Sequence, residues 1–320
     1  MNINNPIAIL DCTLRDGALA GAAVFTPETA RALYRAACLA GIEYVELGYR
    51  NDRDLVEAAH RNWLQILSED DIQAITDGGP ECASKISIMQ DAHKAKADAL
   101  RPAADSRIDL VRVASYTQDL ETAADLINSA DAKGYECSIN IMAASRETPE
   151  RLDRALRFIC GETDVDIIYL VDSYGALLTG DLAAYFHVYQ SCAGTRRIGM
   201  HFHNSRQHAF ANSIAGMQLG ADIIDTTLMG IGRGSGNCPT ELFLDYLNHQ
   251  RYNLDPLLDA AEKHILPLRR NMQWGYHIPY MLAAGGNYHP RDAVAWMKSK
   301  NRRPLVDFYR SLKKTDKEPH

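Results

Sequence analysis

The chain has 320 residues, 46% of them hydrophobic and 23% charged, and a formal net charge of -7 at pH 7. These figures exclude the basic footprint of a nucleic-acid binder and the composition of a disordered chain. No apolar run approaches the roughly 20 residues a membrane helix needs.

Seven cysteines, scattered and without a C-x-x-C pair, argue against a disulfide framework or a Cys-rich zinc site. The start, "MNINNPIAILDCTLRD", lacks the basic and apolar segments of a signal peptide, so a cytoplasmic enzyme is expected.

In chain order, β-branched apolar runs recur at "IAIL" (7–10), "YVELGY" (44–49), "KISIMQ" (85–90) and "LVRVASY" (110–116). They continue at "CSINIMAA" (137–144), "IIYLVDS" (167–173), "IGMHFHN" (198–204) and "IIDTTLMG" (223–230). Helical segments are predicted between them. In "TPETARALYRAACLAG", Thr26 caps the helix, Pro27 occupies its first turn and Gly41 ends it. Eight such strand and helix units close most economically as an α/β fold of the (β/α)8 TIM barrel type, over residues 1–250. A doubly wound sheet would need a glycine-rich phosphate turn after its first strand, and "RDGALAG" lacks that spacing. Residues 251–320 read as a C-terminal helical extension followed by a charged, disordered tail.

Barrel enzymes keep their chemistry at the C-terminal ends of the strands, and closure sets strand 8 beside strand 1. Asp16 follows the first strand, His201 and His203 end the seventh, and Asn237 lies in "GIGRGSGNCPTE" after the eighth. A two-residue spacing on a strand places both imidazoles on one face. Two imidazoles, a carboxylate and an amide oxygen form a mixed nitrogen and oxygen site with open positions. It suits Mn²⁺ foremost, with Co²⁺, Fe²⁺ or Zn²⁺ as alternatives and Mg²⁺ less naturally. Asp11 either orients a ligand histidine or anchors the loop. Arg15, beside Asp16, either forms a structural ion pair or, the favoured reading, binds a substrate carboxylate or enolate oxygen through its planar fork. Glu46, Arg112, Asn140 and the run Asp172, Ser173 and Tyr174 add polar groups at other strand ends.

Together, "DCTLRDG", "HFHN" and "GRGSGN" resemble the DRE-TIM metallolyase superfamily, the HMG-CoA lyase-like group that includes isopropylmalate synthase, homocitrate synthase and 4-hydroxy-2-oxovalerate aldolase. The resemblance spans about residues 7 to 250. It implies Asp16, His201 and His203 as ligands of a divalent metal, Asn237 as a fourth, Arg15 as enolate stabiliser, and Glu46 and Asp172 as acidic site residues. The strand 8 tail looks closest to the 4-hydroxy-2-oxoacid aldolases. Those aldolases carry a general-base histidine two residues after the glycine of "RDG", where this chain has Leu19. Tyr174, Glu46, His277 and His289 are the groups left to exchange the proton. Cys238 has no base beside it and reads as structural.

The expected function is a metal-dependent aldolase acting on a 4-hydroxy-2-oxo acid, with pyruvate or a related 2-oxo acid as partner. The alternatives are a Claisen-type synthase using acyl-CoA or another acyl thioester, and an inactive barrel serving as a binding subunit. A homodimer or higher homo-oligomer is expected.

Overall fold

The computed structural model describes residues 7–21, 25–58, 61–78 and 83–315. The first six residues, with which the stretch read for a leader begins, and the tail 316–320 lie outside them. Eight parallel strands close into one barrel: β1 (Ala8–Asp11), β2 (Tyr44–Tyr49), β3 (Lys85–Asp91), β4 (Leu110–Ser115), β5 (Glu136–Ile141), β6 (Ile167–Asp172), β7 (Arg197–Phe202) and β8 (Ile223–Thr226). The ring is sealed by pairing of β1 with β8, from Ala8 opposite Ile223 to Asp11 opposite Thr226. This is the (β/α)8 TIM barrel that the recurrent runs predict.

Helices cover the strands: α1 (Thr13–Gly17), α2 (Pro27–Leu39), α3 (Glu69–Thr76), α4 (Leu120–Asp131), α5 (Pro149–Glu162), α6 (Leu182–Ala193), α7 (Ala209–Leu219) and α8 (Thr240–Leu247). Thr26 caps α2 by accepting the Thr29 amide at 3.2 Å, and Thr148 caps α5 in the same way at 3.3 Å. One predicted helix is absent. Between β3 and β4 the chain makes only two 3-10 turns, Ala97–Ala99 and Ala103–Asp105. Here "AKADALRPAADSR" has no sustained 3.6-residue apolar stripe, and Pro102 interrupts it.

The barrel interior is built in layers from alternate strands. Tyr44, Leu110, Ile167 and Ile223 of β2, β4, β6 and β8 pack an apolar floor. Two residues along each strand, on the same face, stand Glu46, Arg112, Tyr169 and Asp225, all buried. The Tyr169 ring fits because β7 has glycine at 199: a Cβ there would overlap it. The second layer is therefore mostly charged, at the level just beneath the barrel mouth.

Beyond the barrel, α9 (Asp255–Ala260) passes through a π-helical turn and ends in a 3-10 turn containing Pro267, so "DPLLDAAEKHILPLRRNMQ" is not one helix. Leu257, Ile265 and Trp274 join the main core. A smaller core of Tyr280, Ala283, Ala293, Phe308 and Leu312 unites α10 (Ile278–Gly285), α11 (Arg291–Lys298) and α12 (Leu305–Thr315). The "HIPYMLAAG" segment forms α10, with Pro279 in its first turn. Cys38 is disulfide-bonded, whereas Cys12, Cys137, Cys160, Cys192 and Cys238 are free. No helix among the described residues is long and apolar enough to cross a membrane.

Candidate metal centre

Asp16 lies in α1, one turn past the end of β1, while His201 and His203 lie at and just beyond the end of β7. Ligand atoms of all three fall within 4.8 Å of one another, and all three side chains are buried. The glycine loop after β8 is zipped to this edge. His203 and Asn237 form an antiparallel bridge, and the Asn204 amide donates to the Gly236 carbonyl at 2.9 Å.

The ring nitrogens are assigned by their partners. His201 donates from Nδ1 to Asp225 Oδ2 at 3.0 Å, and its Nε2 lies 3.6 Å from Asp16 Oδ2. His203 donates from Nδ1 to the Gly236 carbonyl at 3.2 Å. Each histidine so arranged keeps an Nε2 lone pair, the form a metal requires. Burial pushes His203 down to about 3 against the pull of Asp16. Burial alone would raise the Asp16 carboxyl, yet Arg15, His203, His201 and Arg233 hold it well below the usual carboxylate range.

Two oxygens test whether a cation fits. Asp16 Oδ1 and Asn237 Oδ1 are buried with no hydrogen-bond partner, an arrangement that is costly unless something completes it. Asn237 donates from Nδ2 to Asp16 Oδ2 at 2.7 Å and to the Ile231 carbonyl at 3.1 Å. Its nitrogen thus fixes the carboxylate and its oxygen remains unused. Gly232 makes this approach possible, since a Cβ there would overlap Asn237 Nδ2 and sit 3.2 Å from Asp16 Cγ. The donor set fits a divalent cation.

A second group, Cys12, His201 and Asp225, also converges. Asp225 is already paired with Arg112 at 2.6 Å. Burial drives the Cys12 thiol well up, and it donates to the Thr226 carbonyl at 3.3 Å. That group offers no thiolate.

Beneath the site runs a closed circuit of charge. Arg15 Nε meets Glu46 Oε2 at 2.6 Å, and the same oxygen lies 3.0 Å from Arg112. Arg112 meets Asp225, Asp225 meets His201, His201 faces Asp16, and Asp16 Oδ1 returns to Arg15 at 3.6 Å. Arg112 also stacks on Tyr169, 4.2 Å from the ring centre. Asp225 is absent from the sequence reading, and Glu46 emerges as the carboxylate that joins two guanidinium groups.

Other expected residues lie elsewhere or do other work. Asp11 accepts from the Thr13 amide and hydroxyl and from Thr240, so it anchors the loop after β1 and orients no histidine. Both oxygens of Asp172 are taken by the amides of Ala176 and Leu177 at 3.0 Å, and burial raises it to about 6. Asn140 accepts from Ser138. Cys238 is buried with its thiol pushed up to about 12 by burial. Leu19 packs with Tyr49, Met89, Ala114 and Met142, forming an apolar wall at the ends of β2 to β5.

The opposite side of the mouth is polar and roofed by the C-terminal segment. The Tyr174 and His289 rings meet edge to face at 5.3 Å. His289 accepts the Arg291 amide at Nδ1, 3.0 Å away. Burial, reinforced by Arg233 and Arg291, lowers it to about 4. His277 is half-buried, beside Tyr280. Ser173, His203, Ser205, Arg233, Tyr280 and Pro290 enclose a cavity of about 10 Å³, room for one water.

The HMGL-like family model matches residues 6–264. Among curated relatives, the 4-hydroxy-2-oxovalerate aldolase of Thermus thermophilus is 29% identical over 272 residues, covering 80% of this chain and 74% of its own. The oxaloacetate decarboxylase of Mycobacterium tuberculosis is 28% identical over 270 residues, covering 81% and 76%. The HMG-CoA lyase of Brucella melitensis superposes with a TM-score of 0.68 at 17% identity, over 83% of this chain and all of that one, a likeness of fold.

Proposed function

The chain belongs to the HMGL-like (DRE-TIM) family, and from that premise we propose a divalent-metal-dependent lyase of the aldolase type acting on 4-hydroxy-2-oxo acids. The convergence of Asp16, His201 and His203, with a buried carboxylate oxygen that accepts no hydrogen bond, carries this reading. These three residues hold the cation, Mn²⁺ by preference for a mixed nitrogen and oxygen set, and the Asn237 oxygen is the available fourth donor. When bound, such a cation supplies Lewis-acid polarisation of a 2-oxo acid's carbonyl, favouring its enolate.

The chain's own residues do the rest. Arg15 is anchored through Nε by Glu46, leaving its terminal nitrogens free of hydrogen-bonded acceptors among the described residues. They are available to an enolate or carboxylate oxygen in a water-poor setting, where a guanidinium is most effective. Glu46, tied to Arg15 and Arg112, positions that fork. Asp172 shapes the turn that presents Ser173 and Tyr174. With Leu19 in place of a base, the Tyr174 hydroxyl, its ring packed edge to face on His289, relays the proton between the substrate's 4-hydroxyl and solvent water, giving up its own proton as it takes the substrate's. Burial raises the Tyr174 phenol, so it remains protonated and able to donate near neutral pH.

A metal-supplemented screen of 4-hydroxy-2-oxo acids, read as pyruvate released, tests this, with a parallel arm for thiol release from acyl-CoA. Pyruvate release that chelation abolishes is expected. Thiol release alone would replace the aldolase by a Claisen synthase, and silence in both arms would leave a binding subunit.

A further inference from the structure

Arg233 lies within "GRGSGN", where the family resemblance assigns a role to Asn237 and none to the arginine, and it projects from the glycine loop into the roofed side of the mouth. Its NH2 donates to the Ser173 carbonyl at 3.3 Å, and it pairs with no carboxylate among the described residues. It borders the same cavity as His203 and Tyr280. It is half-buried, so solutes can reach it. Gly234, beside it, leaves room for the Tyr280 ring, where a Cβ would stand 2.9 Å from that ring's edge.

Two further guanidinium groups share this quarter. Arg146 donates to the Asn287 carbonyl at 2.9 Å, and Arg291 opens α11. The charges of Arg146, Arg233 and Arg291 all act on Tyr174, and no carboxylate acts on it with comparable strength. A protein of net charge -7 thus holds a local positive field over the group placed to handle the proton. An unpaired, half-buried guanidinium in such a field is an anion receptor. The facing wall of Leu19, Tyr49, Met89, Ala114 and Met142 offers no such partner.

We infer that Arg233 determines specificity by binding a second anionic group, a carboxylate or a phosphate, on the half of the substrate that is released as an aldehyde. This rests on the aldolase reading above and narrows its substrate class to acidic aldehydes. Arg146 and Arg291 add long-range attraction rather than contact.

The reaction is best run as carbon-carbon bond formation, with the pyruvate C3 carbanion equivalent adding to the aldehyde carbon and the aldehyde oxygen taking a proton. Metal-supplemented protein is given pyruvate with 4-oxobutanoate, glyceraldehyde 3-phosphate or butanal. The native chain should prefer one of the charged aldehydes over butanal by roughly 10- to 100-fold in kcat/KM, the worth of one charged hydrogen bond. Which charged aldehyde is favoured separates carboxylate from phosphate. Arg233→Gln should erase the preference mainly through KM, and Arg233→Lys should restore part of it. Calorimetric binding of succinate and of inorganic phosphate gives a reading independent of turnover, and Arg233→Gln should weaken it at least 10-fold. Deuterium incorporation into the pyruvate methyl group reports the enolate chemistry separately. Exchange without a charged-aldehyde preference overturns the inference and spares the aldolase reading. Absent exchange with Arg233-dependent anion binding does the reverse. Absent anion binding and absent preference in folded protein refute the role of Arg233.

Discussion

Asp225 accepts the Nδ1 proton of His201 at 3.0 Å while Arg112 grips the same carboxylate oxygen at 2.6 Å. Burial works against ionisation of Asp225, but Arg112 and His201 prevail and hold it below the usual carboxylate range. The imidazole is thereby fixed in orientation, with Nε2 facing Asp16. Asp225→Asn should weaken divalent metal binding by about 10- to 100-fold. It should also cost about 3 kcal/mol of stability, because Arg112 loses a buried partner. Metal titration calorimetry and denaturant midpoints check the two effects, and undiminished affinity in a folded variant would refute the positioning role.

Ligand removal should be visible as stability. A cation at 100 times its dissociation constant adds about 2.7 kcal/mol, so Mn²⁺ should raise the melting temperature of chelator-treated protein. His203→Ala should abolish that response and leave substoichiometric metal by mass spectrometry. A variant that still melts higher with Mn²⁺ would move the site elsewhere.

Glu46 is the hinge of the buried circuit, since one oxygen serves both Arg15 and Arg112. Glu46→Gln leaves two guanidinium groups with one fewer counter-charge, and a loss of about 3 kcal/mol is expected in urea denaturation. Turnover should fall further than that loss explains, because Arg15 is released from its anchor. A stable, fully active variant would sink this account.

Gly232→Ala leaves every charged group in place but sets a methyl against Asn237 and Asp16. It should lower metal affinity by roughly the amount that losing an outer hydrogen bond does, 10- to 100-fold, with the fold intact by circular dichroism. Wild-type affinity would mean that the loop yields without disturbing Asp16.

Asp11 links stability to pH. Burial lifts its carboxyl from the ordinary 3.8 to about 6, against the hydrogen bonds from Thr13 and Thr240. The native state therefore retains a proton that the unfolded chain releases first. The contribution is full below about 3.8 and is lost as pH rises through about 6, a change of about 3 kcal/mol at most. Denaturation free energies of wild type and Asp11→Asn between pH 4 and 7 should differ in slope, with the variant the flatter. Parallel curves would contradict the raised value.

Much of this architecture is legible in the sequence because β-branched runs and capped helices repeat, and period-two spacing puts His201 and His203 on one face. The closure that brings Asp16 to them follows from counting eight strands. Asp225 escaped because a lone acid inside "IIDTT" carries no local motif. Its signal lies across strands: Glu46, Arg112 and Asp225 each stand third in their apolar runs, and aligning the runs exposes the shared layer. Arg233 and His289 were harder to read, since their relation depends on how α10 and α11 fold back over the mouth, which no short spacing encodes. The absent third helix and the break at Pro267 reflect proline acting against weak apolar periodicity.

The circuit from Asp16 through Arg15, Glu46, Arg112, Asp225 and His201 draws on residues from five of the eight strands or their ends. Anyone transplanting this centre into a foreign scaffold would fail by copying three chelating side chains. The portable unit is a six-member electrostatic cassette, and a host barrel must accept it whole, tyrosine shelf and facing glycine included.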